Sequence, residues 1–232
     1  MKRIKFLVVG CMLFASSSAF AQVDTLISTF SYNKALAIYQ KAQQYNDALM
    51  TKQALYDLLV LNNMDSTVMR SLAELYYNNR QFTSSALVGL DFLEKHPGNM
   101  IATEIVALSY EQLRLYDKAI EYYQPIWLQT ENINILYQIA YLQYSLKRYS
   151  ESTNNLAIVE SKIKAEDQVQ LGTSDGGVQQ VPFKAAILNL KALIAIEQGQ
   201  NDQAKTFLNE ALQLAPEFEA AKTSLEGLNK GE

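Results

Sequence analysis

Apolar residues return at helical spacing along most of the chain. Met69, Leu72, Ala73 and Tyr76 stand at i, i+3, i+4 and i+7, which places them on one face of a helix. Val106, Ala107 and Tyr110 repeat that pattern behind Thr103, and Ile139 and Ala140 repeat it behind Leu136. Ala73 and Ala107 are 34 positions apart, and Ala107 and Ala140 are 33 apart. About ten residues further on, each copy shows an aromatic and then a small residue: Phe82 and Ser85, Tyr116 and Ala119, Tyr149 and Ser152. A fixed period of this size is the mark of stacked supersecondary units. Each unit has two helices and cannot bury its apolar face alone, so it must pack on a neighbour. The small residues mark where helix backbones approach closely, because a larger side chain would hold them apart.

The pattern predicts first helices near 31–43, 66–78, 100–112, 133–146 and 182–197, and second helices near 46–61, 83–95, 117–129, 150–165 and 201–214. Asn62-Asn63, Asn78-Asn79, Pro97-Gly98-Asn99 and Gly199-Gln200-Asn201 punctuate them as turns. The clearest late copy is Leu188, Lys191, Ala192 and Ala195, followed by Ala204, Leu208, Ala211 and Pro216. A looser first copy reads Tyr32, Ala35, Leu36 and Tyr39, with Tyr45 and Ala48 after it and Leu36 in the small position.

Over residues 29–216 the chain resembles the tetratricopeptide repeat (TPR) family, most closely in 66–131 and 185–216. The matching features are the small residue of the first helix, the aromatic three later, the small residue opening the second helix, and the closing prolines Pro97 and Pro216. The fifth copy lacks the aromatic, and no copy carries the family's tryptophan. The resemblance implies an all-α fold: a right-handed α-solenoid of about five helix pairs, closed by a capping helix from about Glu217 to Leu228.

Two places break the period. Pro125 falls inside a second helix, where it removes a backbone hydrogen bond, and a bend at a solvent-facing turn is expected. Ser152 and Ala204 are 52 apart, so about 18 residues are inserted, near 166–181. Alternating stretches around Gly172-Thr173-Ser174-Asp175-Gly176-Gly177 suggest a β-hairpin, either a plain insertion or a flap that touches a partner.

Residues 1–21 belong to another pattern. A basic start (Lys2, Arg3, Lys5), an apolar run from Phe6 to Phe14 and Ala19-Phe20-Ala21 predict a signal peptide cut before Gln22. The expected mature domain is then 22–232, in the periplasm. Val8-Val9-Gly10-Cys11 resembles a lipobox, and membrane contact is expected only if Cys11 is lipidated. The apolar run before Cys11 is shorter than the usual 7–15 residues or so, which favours cleavage after Ala21.

Composition narrows the function. Removing that leader takes three of the 20 basic residues and no acid, leaving 17 against 24 acidic ones, a net of −7. Such a chain, without a basic cluster, is a poor nucleic-acid binder. Cys11 is the one cysteine and His96 the one histidine, so the mature domain has no thiolate site, no disulfide and no His-pair metal motif. His96, before Pro97, suits a helix C-terminus better than a general base. No nucleophile-elbow, zincin, P-loop or dinucleotide motif is present. Glu151-Ser152 faintly resembles the glutamate-serine pair of cell-wall transglycosylases, but it stands at a repeat position. The expectation is therefore no enzyme, no cofactor and no metal.

In TPR proteins ligands lie against one face of the first helices. Carrying that face over by register gives Arg70, Glu74 and Tyr77; Glu104 and Leu108; Tyr137, Tyr141 and Tyr144; and Asn189 as the partner-binding set. The three tyrosines stand at i, i+4 and i+7 on one helix. Such a stripe can be core, but Leu136, Ile139 and Ala140 already give that helix an apolar face, which leaves the tyrosines for a surface. The implied partner is a protein or peptide segment, with a glycan stacked on the tyrosines as the alternative. Arg70 and Asn189 alone do not make the basic set with which some TPR proteins grip a chaperone's C-terminal carboxylate, so that ligand is excluded.

Overall fold

The computed structural model describes residues 26–230; the expected signal peptide and Cys11 lie outside them. The described residues form helices packed in consecutive pairs, the arrangement of an α-solenoid, with one hairpin between them. The described residues divide into two compact units on either side of Ile105 and Val106, with the division inside a helix.

The first unit holds α1 (residues 26–44), α2 (Ala48–Leu61), α3 (Ser66–Asn78), α4 (Phe82–Lys95) and the start of α5 (Met100–Gln112). Ala35, Leu55, Leu58, Val68 and Leu72 form its core, and Met69, Phe92 and Ala102 form a second apolar cluster. Asp65 caps α3, its carboxylate accepting from the Thr67 and Val68 backbone N–H at 3.0 and 3.1 Å. Its other oxygen accepts from the Tyr32 hydroxyl at 2.7 Å, which ties the cap to α1. His96 ends α4 and stacks edge-on against Phe92. Its Nε2 lies 2.8 Å from the Met64 carbonyl; a carbonyl only accepts, so this nitrogen donates, and the histidine joins two turns.

The second unit holds the rest of α5, then α6 (Tyr116–Thr130), α7 (Ile133–Ser145), α8 (Tyr149–Lys162), β1 (Gln168–Gly172), β2 (Val178–Pro182), α9 (Phe183–Glu197), α10 (Asn201–Leu214) and α11 (Glu219–Lys230). Pro125 sits within α6 on its exposed side, next to solvent. α8 ends at Lys162, earlier than the pattern predicts, because Ile163 turns extended and leads the chain to the hairpin. α9 packs against α7, α8, α10, α11 and both strands, and ten of its residues are buried. A helix covered on nearly every side must be apolar nearly all round, and Phe183, Ile187, Leu190 and Ile194 supply that.

The repeat is written into the turns. Asn46, Arg80, Arg114, Lys147 and Gly199 all have φ between 50° and 73°. In each turn the residue after the left-handed one donates its N–H back to a carbonyl five residues earlier, as Gln81 does to Tyr76 and Gln200 to Ala195. This is the Schellman closure that satisfies the last carbonyls of a helix. Counting from it, Ala73, Ala107, Ala140 and Ala192 share one position, and all are fully buried. Ser85, Ala119, Ser152 and Ala204 share the second, also fully buried. Where that residue is serine, its hydroxyl donates across the pair to the facing alanine's carbonyl: Ser85 to Ala73 at 2.9 Å, Ser152 to Ala140 at 2.7 Å.

The same count corrects the first copy. Asn46 places Tyr39, not Leu36, at the small position and Thr51, not Ala48, at the second; Thr51 is buried while Ala48 is exposed. Ala42 takes the aromatic's place, so the order of sizes is inverted. Spacing from the aromatics misaligned this copy by three residues because its aromatic and its alanine have changed places.

Candidate functional site

The expected partner-binding residues fall in different surroundings. In the first unit Arg70 Nε meets Glu74 Oε1 at 2.7 Å, an exposed i,i+4 pair worth at most about 0.5 kcal/mol. The Tyr77 ring packs edge-on against Phe82, 5.3 Å between centroids. Glu104 is exposed, and Leu108, in the second unit, is half-buried.

The second unit does gather its residues. Tyr137, Tyr141 and Asn189 line one cleft of about 420 Å³ with Gln138, Leu190, Leu193 and Ala220, and β1 closes one side with Gln170, Leu171 and Gly172. A neighbouring cleft of about 450 Å³ continues along β1, between its residues Gln168–Leu171 and Asn134, Tyr137 and Gln138 of α7. Every residue lining either cleft is uncharged.

The tyrosine stripe is divided. Tyr137 is only 6% exposed; its ring meets Phe183 edge-on and its hydroxyl donates to the Ala186 carbonyl at 3.3 Å. Burial, then the neighbouring Tyr141, pushes its hydroxyl above the ordinary phenol range. Tyr141 is 44% exposed. Tyr144 lies between Tyr141 and Tyr149, with centroid distances of 6.3 and 6.2 Å, and burial followed by the charge of Glu197 raises its pKa. Phe183 and Ala186 at the start of α9 explain the division, since they cover Tyr137, the N-terminal third of a stripe that α7 alone would expose.

Asn189 is the anomaly of the cleft. It is 6% exposed, and its Oδ1 has no hydrogen-bond partner. A buried amide oxygen left unpaired costs about 1–3 kcal/mol, so native proteins seldom tolerate one without a reason. Sequence register placed Asn189 among the binding residues but could not show that it lies at the bottom of a cleft. Gln138 carried no signal in the sequence, and Gln170, Leu171 and Gly172 were signalled only by the 18-residue insertion, expected as a plain insertion or a flap that touches a partner.

Glu151 is held by Arg148 at 2.7 and 2.5 Å, and that hydrogen bonding keeps its carboxyl below the usual range, the opposite of what a general acid needs. Among the described residues no group of three or more His, Cys, Asp or Glu could hold a metal ion. No helix among them is long and apolar enough to cross a membrane.

Residues 185–218 match the sequence profile of the tetratricopeptide repeat. No curated protein matches the chain by sequence. Among solved structures, a tetratricopeptide repeat protein from Parabacteroides merdae aligns with a TM-score of 0.66 at 15% identity, covering 85% of this chain and 72% of its own. YrrB, described as a TPR protein with an unusual peptide-binding site, aligns at 0.64 and 12% identity, covering 81% and 88%. MamA aligns at 0.62 and 12%, covering 79% and 91%. Residues 185–218 are thus a tetratricopeptide repeat by sequence, and the chain shares the fold of tetratricopeptide-repeat proteins.

Proposed function

We propose that the chain is a non-enzymatic interaction scaffold of the bacterial cell envelope, which holds a segment of a partner protein. The observation that carries this reading is the uncharged cleft in the second unit, where half-exposed Tyr141 stands over the buried, unpaired Asn189. Tyrosine suits such a rim because its ring buries area while its hydroxyl remains wet. The fold shared with YrrB, whose description names a peptide-binding site, supports the protein class of partner. The envelope location rests on the expected signal peptide. Recognition of a short segment by one cleft corresponds to micromolar affinity, about −8 kcal/mol.

A photo-cross-linking residue in place of Tyr141, expressed in the bacterium, is expected to trap a discrete protein. The double variant Tyr141→Ala, Tyr144→Ala is expected to lose that partner while keeping its helical circular dichroism. Full partner capture by the double variant, or adducts with glycans alone, would sink the proposal.

A further inference from the structure

The register of the hairpin fixes which backbone groups it leaves over. Gln168 pairs with Pro182, Val169 with Val181, Gln170 with Gln180, Leu171 with Gln179 and Gly172 with Val178. Just beyond the strands, the Phe183 N–H donates to the Asp167 carbonyl and the Thr173 N–H to the Gly177 carbonyl. Antiparallel pairs alternate between bonded and non-bonded, so Val169 and Leu171 are bonded to β2 while Gln168, Gln170 and Gly172 turn their N–H and C=O outward. Among the described residues no hydrogen bond reaches those three outward N–H groups.

The two edges of the hairpin are treated differently. On the outer edge of β2, Pro182 has no N–H to offer. The Gln179 side chain on that strand is engaged at the start of α11, donating to the Glu217 carbonyl and accepting from the Glu219 N–H. β1 carries neither a proline nor a charge, the usual guards of a free edge. Its outward groups border the two clefts opposite α7, and Asn189 lies at the base of one of them. A strand edge beside a neutral cleft with an unpaired acceptor calls for an extended, uncharged chain that brings donors of its own.

We propose that the partner segment binds as an added β-strand on the free edge of β1, between β1 and α7, and directs a Ser, Thr, Asn or Gln side chain to Asn189 Oδ1. This rests on the reading of the chain as a protein-binding scaffold and gives that scaffold its binding mode. Backbone bonds to Gln168, Gln170 and Gly172 supply affinity that is blind to sequence, while the cleft reads every second side chain. The absence of lining charge disfavours Lys, Arg, Asp and Glu in the seated residues, since a charge there would be desolvated without a partner.

The probe is a phage-displayed library of random dodecapeptides selected on the wild-type protein, with the best peptide then synthesised. Recovered peptides are expected to share an uncharged stretch with one fixed Ser, Thr, Asn or Gln. In hydrogen exchange the peptide is expected to slow the amides of Gln168, Gln170 and Gly172 and leave those of Val169 and Leu171, already bonded to β2, unchanged. Gln170→Pro removes an outward N–H without breaking the hairpin ladder, and Asn189→Leu removes the acceptor; each is expected to weaken the peptide at least tenfold. The exchange pattern is read on the unaltered protein, so it decides even if Gln170→Pro misfolds. Protection confined to α7, with full affinity in Asn189→Leu, would overturn strand addition and leave the scaffold standing. A library that yields no peptide, together with binding of glycan fragments in calorimetry, would overturn both.

Discussion

The first helix pair and the last use the same architecture with opposite degrees of closure. α1 and α2 leave Leu26, Ile27, Phe30, Leu49 and Val60 well exposed, and a cleft of about 420 Å³ opens between Lys34, Ile38, Ala42 and Met50. α9 and α10 are packed shut: Ala192, Ala204, Leu208 and Ala211 are fully buried, and Phe218 locks the entry to α11. The difference follows from the order of two side chains. In the last pair the small residue stands where the backbones meet; in the first, half-buried Tyr39 stands there and Ala42 follows. Terminal repeats are commonly atypical, and here a polar, amphipathic helix finishes the C-terminal pair.

The same substitution made at both ends is the sharpest test. Phe218→Ala is expected to cost about 3–5 kcal/mol, because a fully buried ring leaves a cavity. Phe30→Ala, at a residue 71% exposed, is expected to shift stability by less than about 0.5 kcal/mol. Urea unfolding of both variants checks the contrast, and equal losses would mean that the first pair is as closed as the last.

Enlarging the small residue inverts the question. Ala192→Leu is expected to cost about 1–3 kcal/mol through overpacking at the α9–α10 approach. Ala42→Leu borders the open cleft of the first pair and is expected to cost less than about 1 kcal/mol. Thermal melts of the two proteins rank them, and a larger loss at Ala42 would mean that the first pair is packed at least as tightly as the last.

What was legible in the sequence follows the same division. Ala73, Ala107, Ala140 and Ala192 announced the fold because close approach of helices admits only small side chains, a constraint that acts locally and repeats. The first copy was misread because its aromatic and alanine have changed places, and spacing alone cannot tell an exchange from a shift. The cleft was hidden for another reason. Its walls come from α7, β1, α9 and α11, which are brought together only by folding, and Phe183 and Ala186 of α9 turn one third of an apparent surface stripe into core. Periodicity reports which face a residue occupies, not which later element is laid over that face.

The last pair also holds the least satisfied side chain of its own core. Asn189→Leu is expected to raise the unfolding free energy by about 1–2 kcal/mol, because it removes a buried oxygen without a partner and fills the base of a cleft that has room for it. Denaturant midpoints measure this. A loss of stability would show that the Asn189 amide is a structural support. A gain would mean that the best-packed end of the chain keeps a destabilising group where a ligand can reach it, as functional sites commonly do.

The smallest effect tests the turns, which the two pairs solve differently. Asn46 and Gly199 are the residues that tolerate the left-handed conformation, whereas Lys147, with φ of 60°, holds the same position with a full side chain. Lys147 is exposed, so a change there reads backbone strain with little loss of packing. Lys147→Gly is expected to stabilise the protein by about 0.5–1 kcal/mol, the relief of a left-handed side chain outweighing the added freedom of the unfolded chain. Gly199→Lys, the reciprocal change at a φ of 73°, is expected to destabilise by about 1 kcal/mol. Opposite signs in paired denaturation curves would show that the five turns are one motif under one backbone constraint. Equal signs would mean that the neighbouring helices, and not the turn residue, set the conformation.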